Sequence, residues 1–367
     1  MINPLEVVKQ QVRDLRPYTL LPKRARIKLN QNENAWDVPV EIKDETLRRL
    51  HDRAWSRYPE FVPERLRQLL AEYSGWTADG IIAGNGSNEL IQSVLMATVG
   101  EGSRVLISEP TFALYRQIAT VLGAEIISVP LTAEFSYDTP SLLSAIQSSN
   151  PNITIICSPN NPTGCLMPRR ELVSLLQRSN GLVIVDEAYF EFADETVVPL
   201  LEQYRNLVVL RTFSKALALA GLRVGYLLAA PELVREIAKA VLPYNLNIVS
   251  QIAAEVTLER YQTTLKLLVR LIRAERNRLF AQLGRVEGLT PLPSRANFIL
   301  VRSSVPPTRI YQQLLRRNIL IRDVSAHPML SDCFRISVGT REENDEIVVA
   351  LREIFARKEK AIRAQSS

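Results

Sequence analysis

Between residues 80 and 230 the chain repeats one pattern: a short, continuously apolar run followed by an amphipathic stretch with helical spacing. The runs are Ile81 to Ala83, Val105 to Ser108, Glu125 to Val129, Ile153 to Cys157, Leu182 to Val185, Leu207 to Leu210 and Val224 to Ala229. Strands covered on both faces read as unbroken apolar runs, and their alternation with helices prescribes β-α-β units. The expected fold class is therefore α/β, with a seven-stranded, mainly parallel sheet.

The flanks read differently. Pro63 opens a helix through Leu66, Leu69, Leu70 and Tyr73, because proline is well tolerated in a first helical turn. Ser250 to Leu283 has the spacing of one long helix, its apolar stripe formed by Ala253, Val256, Leu267, Leu268 and Leu271. Strands are expected at Asn297 to Val301, Ile319 to Ile321 and Phe334 to Val338, with helices at Thr308 to Arg316 and Asn344 to Arg357. These make a second, smaller α+β domain. A length of 367 residues accommodates both.

Composition narrows the class of function. No stretch approaches the ~18 apolar residues of a membrane span, and the start, Met1-Ile2-Asn3-Pro4, lacks the pattern of a secretory signal. A cytoplasmic enzyme without membrane partners is expected. Cys157, Cys165 and Cys333 have neither disulfide-framework nor zinc spacing, so no metal is expected. The net charge of +6 is spread among acidic residues, as on a solvated surface, and nucleic acid is not an expected partner. The basic run from Arg357 to Arg363 reads as the end of a last helix.

Four motifs follow predicted strands, at the edge where open α/β sheets hold ligands. Gly84-Asn85-Gly86-Ser87-Asn88-Glu89 joins a strand to a helix; its glycines permit close backbone approach, Ser87 is positioned to cap, and the helix N-terminus attracts phosphate. Ser158-Pro159-Asn160-Asn161-Pro162-Thr163-Gly164 offers the Asn161 amide. Asp186-Glu187-Ala188-Tyr189 ends a buried strand with a carboxylate, which is costly there without a positive partner such as a protonated pyridine nitrogen. Arg211-Thr212-Phe213-Ser214-Lys215 places an amine among small apolar residues, where burial lowers its pKa and favours Schiff-base chemistry. Each motif alone has an ordinary structural reading: a turn, a proline-rich loop, a capping aspartate, a surface lysine.

In this order, and over nearly the whole chain, the motifs resemble the fold type I aminotransferases, which depend on pyridoxal 5'-phosphate. Within that superfamily the sequence is most similar to the histidinol-phosphate aminotransferases, through Arg16-Pro17-Tyr18, Lys28 to Asn34, Arg57-Tyr58-Pro59-Glu60, Arg322 and Phe334 to Thr340. One departure is Asn34-Ala35-Trp36-Asp37, where many members have proline directly after the asparagine; here it is displaced to Pro39. The resemblance implies an N-terminal arm over residues 1–40, a large cofactor-binding domain over 41–259 and a small domain over 260–367. Lys215 would hold the cofactor and carry the proton, Asp186 would keep its ring protonated, and Asn161 and Tyr189 would bond the ring oxygen. Phe112 would stack on the ring; Gly86, Ser87, Asn88, Thr212, Ser214 and Arg223 would bind the phosphate, with Tyr58 arriving from the second subunit of a homodimer.

On the substrate side the resemblance implies Tyr18, Asn32, Arg322 and Arg335. Arg335 would grip the amino acid's carboxylate, with Arg322 and Tyr18 as the extra grip for a phosphate; because histidinol phosphate has no carboxylate, the arginine pair would take its phosphate in one half-reaction and the carboxylates of glutamate or 2-oxoglutarate in the other. An aromatic amino-acid aminotransferase or an amino-acid-phosphate decarboxylase would share the cofactor residues. A regulatory aminotransferase-like module would need a helix-turn-helix domain that the stretch before Lys28 cannot hold. A nicotinamide enzyme would need the dinucleotide fingerprint that the first motif lacks. His51 and His327 read as core or surface histidines.

Overall fold

The computed structural model describes residues 3–17 and 23–365, with side chains to residue 356. Its strands in chain order are β1 (Ile27–Leu29), β2 (Ile81–Gly84), β3 (Arg104–Glu109), β4 (Glu125–Pro130), β5 (Ile153–Cys157) and β6 (Leu182–Asp186). They continue with β7 (Leu207–Thr212), β8 (Gly225–Ala229), β9 (Leu289–Pro291), β10 (Phe298–Ser303), β11 (Ile319–Asp323) and β12 (Cys333–Ser337).

The seven apolar runs are the seven strands of one sheet, in the order β2-β8-β7-β6-β5-β3-β4. All neighbouring pairs are parallel except those of β8, which runs against both β2 and β7. Alternate side chains explain the continuous hydrophobicity. Leu106, Ile156, Val183, Val185 and Val209 enter one core, whereas Val105, Ile107, Ile155, Ile184, Val208 and Leu210 enter the core on the opposite face. Neither face is left to water, so no polar alternation is possible.

The smaller sheet has the order β1-β11-β12-β10-β9. Ile299, Val301, Ile319, Ile321, Phe334 and Ile336 project onto Leu279, Leu283, Ile347 and Leu351 of the two covering helices, Lys266–Leu283 and Arg341–Gln365. The three strands expected here are present. β1 and β9 were not expected, and β1 ties residues 27–29 in parallel to β11.

One helical expectation needs correction. The segment read as a single helix is interrupted: Ile248–Arg260 passes through a π-helical turn, Tyr261–Leu265, into Lys266–Leu283. The wider turn rotates every later residue about the axis. Ala253 and Val256 are buried as expected, but Leu267 and Leu271 are exposed, and Leu265, Val269 and Ile272 take the inward face.

Candidate active site

Parallel strands place their carboxyl ends on one edge, and both edge connections of antiparallel β8 meet the same rule. β3, β5, β6 and β7 end there, β2 ends there beside them, and β8 begins there. Chain reversals between β3 and β5 open a crevice at that edge. A cavity of about 250 Å³ fills it, bounded on the far side by Arg322 and Arg335 of the smaller sheet.

Asp186 is the last residue of β6 and only 3% exposed. Its Oδ2 accepts from the Tyr115 hydroxyl at 2.6 Å and its Oδ1 from the Ala188 amide at 3.0 Å. Both partners are neutral, and burial pushes the carboxyl up to about 6. The carboxylate is thus hydrogen-bonded by neutral groups, and the Lys215 charge in the same cavity offsets its burial only in part.

Lys215 follows β7 by three residues and lines the same cavity. Burial, helped by the charges of Arg335 and Arg223, lowers its amine to about 8, while Glu33 opposes the shift. Nζ donates to the Gln31 carbonyl at 2.9 Å and lies 5.9 Å from the centre of the Tyr189 ring. The Tyr189 hydroxyl accepts from Asn32 Nδ2 at 3.0 Å. Asn32 is itself fixed by Ser337 and Asn297, which bond its backbone and side chain. Its backbone lies in the left-handed region at φ 55°, which asparagine tolerates better than most residues.

Ser87, Asn88, Thr212, Ser214 and Arg223 gather donors at one end of the cavity. Thr212 Oγ1 bonds Ser214 Oγ at 3.0 Å, and Arg223 NH1 donates to Ser214 Oγ at 2.9 Å. The helix Ser87–Thr98 aims its N-terminus here. Its cap is Gly86, at φ 82°, and not Ser87 as the sequence suggested; Ser87 is the first helical residue and its hydroxyl makes no capping bond. At Gly86 the left-handed backbone disfavours any side chain, and a Cβ there would displace the Arg223 guanidinium, 2.6 Å from its NH2 atom. Gly225 is equally constrained, since a Cβ there would meet the Ser87 nitrogen at 2.3 Å.

The two asparagines of the proline-rich loop separate into two tasks. Asn160 is fully buried and stitches the loop together through Thr111, Pro110 and Thr163. Asn161 lines the cavity, where its Oδ1 accepts from Arg335 NH1. Arg335 also donates to the Asn30 carbonyl at 2.8 Å and stands opposite Arg322 in the β11–β12 register. Phe112 contributes a cavity wall and packs edge-on against Tyr115, with centroids 5.5 Å apart.

Two named residues stand apart. Tyr58 is 81% exposed, stacked on Tyr244 at 4.5 Å, and does not line this cavity. Tyr18 lies outside the described residues. Conversely, Asn30, Gln31, Thr111, Tyr115 and His327 line the cavity without having been singled out. Tyr115 falls one helical turn beyond Phe112, a spacing that could have marked it. His327 has no comparable signal.

Comparison with known proteins agrees with this arrangement. The family model for aminotransferase class I and II matches residues 24–351. A histidinol-phosphate aminotransferase of Chlorobium phaeovibrioides is 35% identical over 95% of this chain and 97% of its own. Another, from a Thermoanaerobacter species, is 36% identical over 95% and 99%. The crystal structure of histidinol-phosphate aminotransferase from Sinorhizobium meliloti, in complex with pyridoxal-5'-phosphate, superposes with a TM-score of 0.86 at 26% identity, covering 95% of this chain and 97% of that one. With a half-buried lysine and a buried aspartate at the carboxyl edge of such a sheet, and a family match over most of its length, the chain belongs to the class I and II aminotransferases.

Proposed function

We propose that the cavity binds pyridoxal 5'-phosphate and that the protein transfers an amino group between L-histidinol phosphate and 2-oxoglutarate, as its relatives' names suggest. The observation that carries this reading is the joint presence, in one cavity, of a weakly basic lysine, a buried carboxylate hydrogen-bonded only by neutral groups and a cluster of anion donors. Those residues fit the cofactor. Asp186 suits a protonated ring nitrogen, and the Ser87 end of its helix with Thr212, Ser214 and Arg223 suits a phosphate. Asn161 and Tyr189 would bond the ring oxygen, Phe112 would cover one ring face, and Gly86 and Asn88 would complete the phosphate cradle.

When bound, the cofactor supplies an electron-withdrawing ring that acidifies the amine-bearing carbon of the substrate. Lys215 would hold the cofactor through its amine and, once the substrate's amine has displaced it, would move the proton at that carbon, for which an amine lowered to about 8 is well matched. Asp186 keeps the ring nitrogen protonated. The carbonyl of Gln31 and the ring of Tyr189 orient Lys215. Arg322 and Arg335 bind the phosphate of histidinol phosphate, and in the other half-reaction the carboxylates of glutamate; Tyr18 and Asn32 are the further substrate-binding residues of this reading. Asn32 acts through Tyr189, whose hydroxyl it positions.

The remaining features form part of the same proposal: a cytoplasmic homodimer, arm, large and small domains over residues 1–40, 41–259 and 260–367, and Tyr58 supplied across the interface to the cofactor phosphate. Among the described residues no helix is long and apolar enough to cross a membrane.

The test is an absorbance spectrum of the purified protein, followed by L-histidinol phosphate and then 2-oxoglutarate. A near-visible band that collapses with the first and returns with the second supports cofactor, reaction and substrate together. A band that collapses only with aromatic amino acids overturns the substrate, carbon dioxide release without need of 2-oxoglutarate overturns transamination, and no band overturns the cofactor.

A further inference from the structure

His327 lies in the connection between β11 and β12 and lines the cavity beside both arginines. The charged groups around it come from three strands. Arg322 on β11 and Arg335 on β12 oppose its protonation, whereas Glu109, at the end of β3, favours it. Glu109 is drawn away from full partnership by Arg116, which grips its two oxygens at 3.0 and 2.7 Å, and by Ser128. No hydrogen bond to the imidazole is found among the described residues, and burial disfavours its charged form more than either arginine does. The ring is therefore a cavity-facing donor whose protonation depends on what lies between the two arginines.

Resting on the proposed substrate, we infer that His327 is a third phosphate-holding side chain, which takes up a proton when a doubly charged phosphate enters between Arg322 and Arg335. The proton comes from solvent as the ligand binds. A phosphate dianion brings both negative charges to one group beside the ring and reverses the balance there, whereas a dicarboxylate holds its two charges on separate groups at opposite ends of the molecule. His327 thus favours the phosphate ester over the dicarboxylate that shares the site, a specificity two permanently charged arginines cannot provide alone.

The protein contains two histidines, His51 and His327, so NMR of histidine-labelled, cofactor-loaded enzyme resolves the ring in question, with His327→Gln assigning the signal. L-histidinol phosphate, and inorganic phosphate alone, should raise the His327 titration midpoint by about one pH unit or more, with little change on glutamate. His51 should not respond. In steady-state assays His327→Gln should raise KM for histidinol phosphate roughly tenfold near pH 6.5, the scale of one charge-assisted hydrogen bond. Its KM for glutamate should change less than about twofold, and the defect should shrink as pH rises and the wild-type ring loses its proton. The substrate's own phosphate ionisation is common to both enzymes and cancels in their ratio.

A His327 midpoint unmoved by histidinol phosphate, in an enzyme that turns it over, overturns the inference and leaves the function intact. If histidinol phosphate is not turned over, the substrate reading fails separately; a midpoint raised by inorganic phosphate then still supports a phosphate subsite, and an unmoved one overturns it. Equal KM changes for both substrates also overturn it.

Discussion

The chemistry of this cavity begins with an amine that the fold makes uncomfortable. Lys215 is depressed from 10.5 to about 8, first by burial and then by Arg335. Covalent capture of the cofactor requires the unprotonated amine, so its rate in the cofactor-free protein should climb through about pH 8 and level off above, as followed by stopped-flow absorbance. Arg335→Ala removes a charge that disfavours the ammonium, and should move that midpoint upward. An unchanged or lower midpoint would show that Arg335 does not tune the amine. The same depression has a thermodynamic sign. A folded pKa below the unfolded one gives stability that is present above about 10.5 and lost as pH falls through 8, so at neutral pH the cofactor-free fold carries a poorly solvated charge. Lys215→Met should therefore abolish transamination yet stabilise the cofactor-free protein by roughly 1–2 kcal/mol at pH 7, less than ~1.4 kcal/mol per pK unit implies because cavity water screens the amine. Calorimetry of the two proteins at pH 7 and near pH 10 checks this: the gain must shrink at the higher pH.

At the scale of elements, the phosphate-binding end depends on the approach of the helix Ser87–Thr98 to β8. Gly225 pairs with Gly84 on one side and Thr212 on the other, and a Cβ on it would press on the Ser87 nitrogen at 2.3 Å and the Gly86 carbonyl carbon at 2.6 Å. Gly225→Ala should move the helix N-terminus off the sheet, weakening cofactor binding at least about tenfold at an overpacking cost of about 1–3 kcal/mol. Circular dichroism should remain native while cofactor titration shows the loss; undiminished affinity would mean that this end is not the phosphate cradle. Such contacts explain what could be read from the chain. Buried parallel strands announce themselves because both faces must be apolar, and the motifs after β2, β5, β6 and β7 fall at one edge by the rule of parallel connection. β1 and β9 are three residues each, too short for any period to emerge. The π-turn at Tyr261–Leu265 has no apolar signature, so the stripe beyond it was read one residue out of phase. Asn30, Gln31 and His327 reach the cavity only because the smaller sheet closes over it, a tertiary event with no local pattern.

For the whole molecule, the proposed role of Tyr58 requires that its exposed ring meet a second subunit. Tyr58 sits with Phe61 and Tyr244 in a group of exposed aromatic side chains. Tyr58 and Phe61 both pack on the Tyr244 ring. If a twofold partner covers this group, the tyrosine of one subunit reaches the phosphate end of the other's cavity, and neither subunit has a complete site alone. That arrangement predicts complementation between two defective chains. Lys215→Ala removes the amine of its own subunit, whereas Tyr58→Ala impairs the site of its neighbour. In a mixed dimer formed from the two variants, both defects fall on the subunit that lacks the lysine, and the other site is intact. After equal mixing, unfolding and refolding, half the dimers are mixed and each has one working site, so activity should recover to about one quarter of wild type. If Tyr58 served its own subunit, each site of a mixed dimer would keep one defect, and activity would not exceed the average of the two parents. Sedimentation of the refolded mixture separates that outcome from a failure to dimerise.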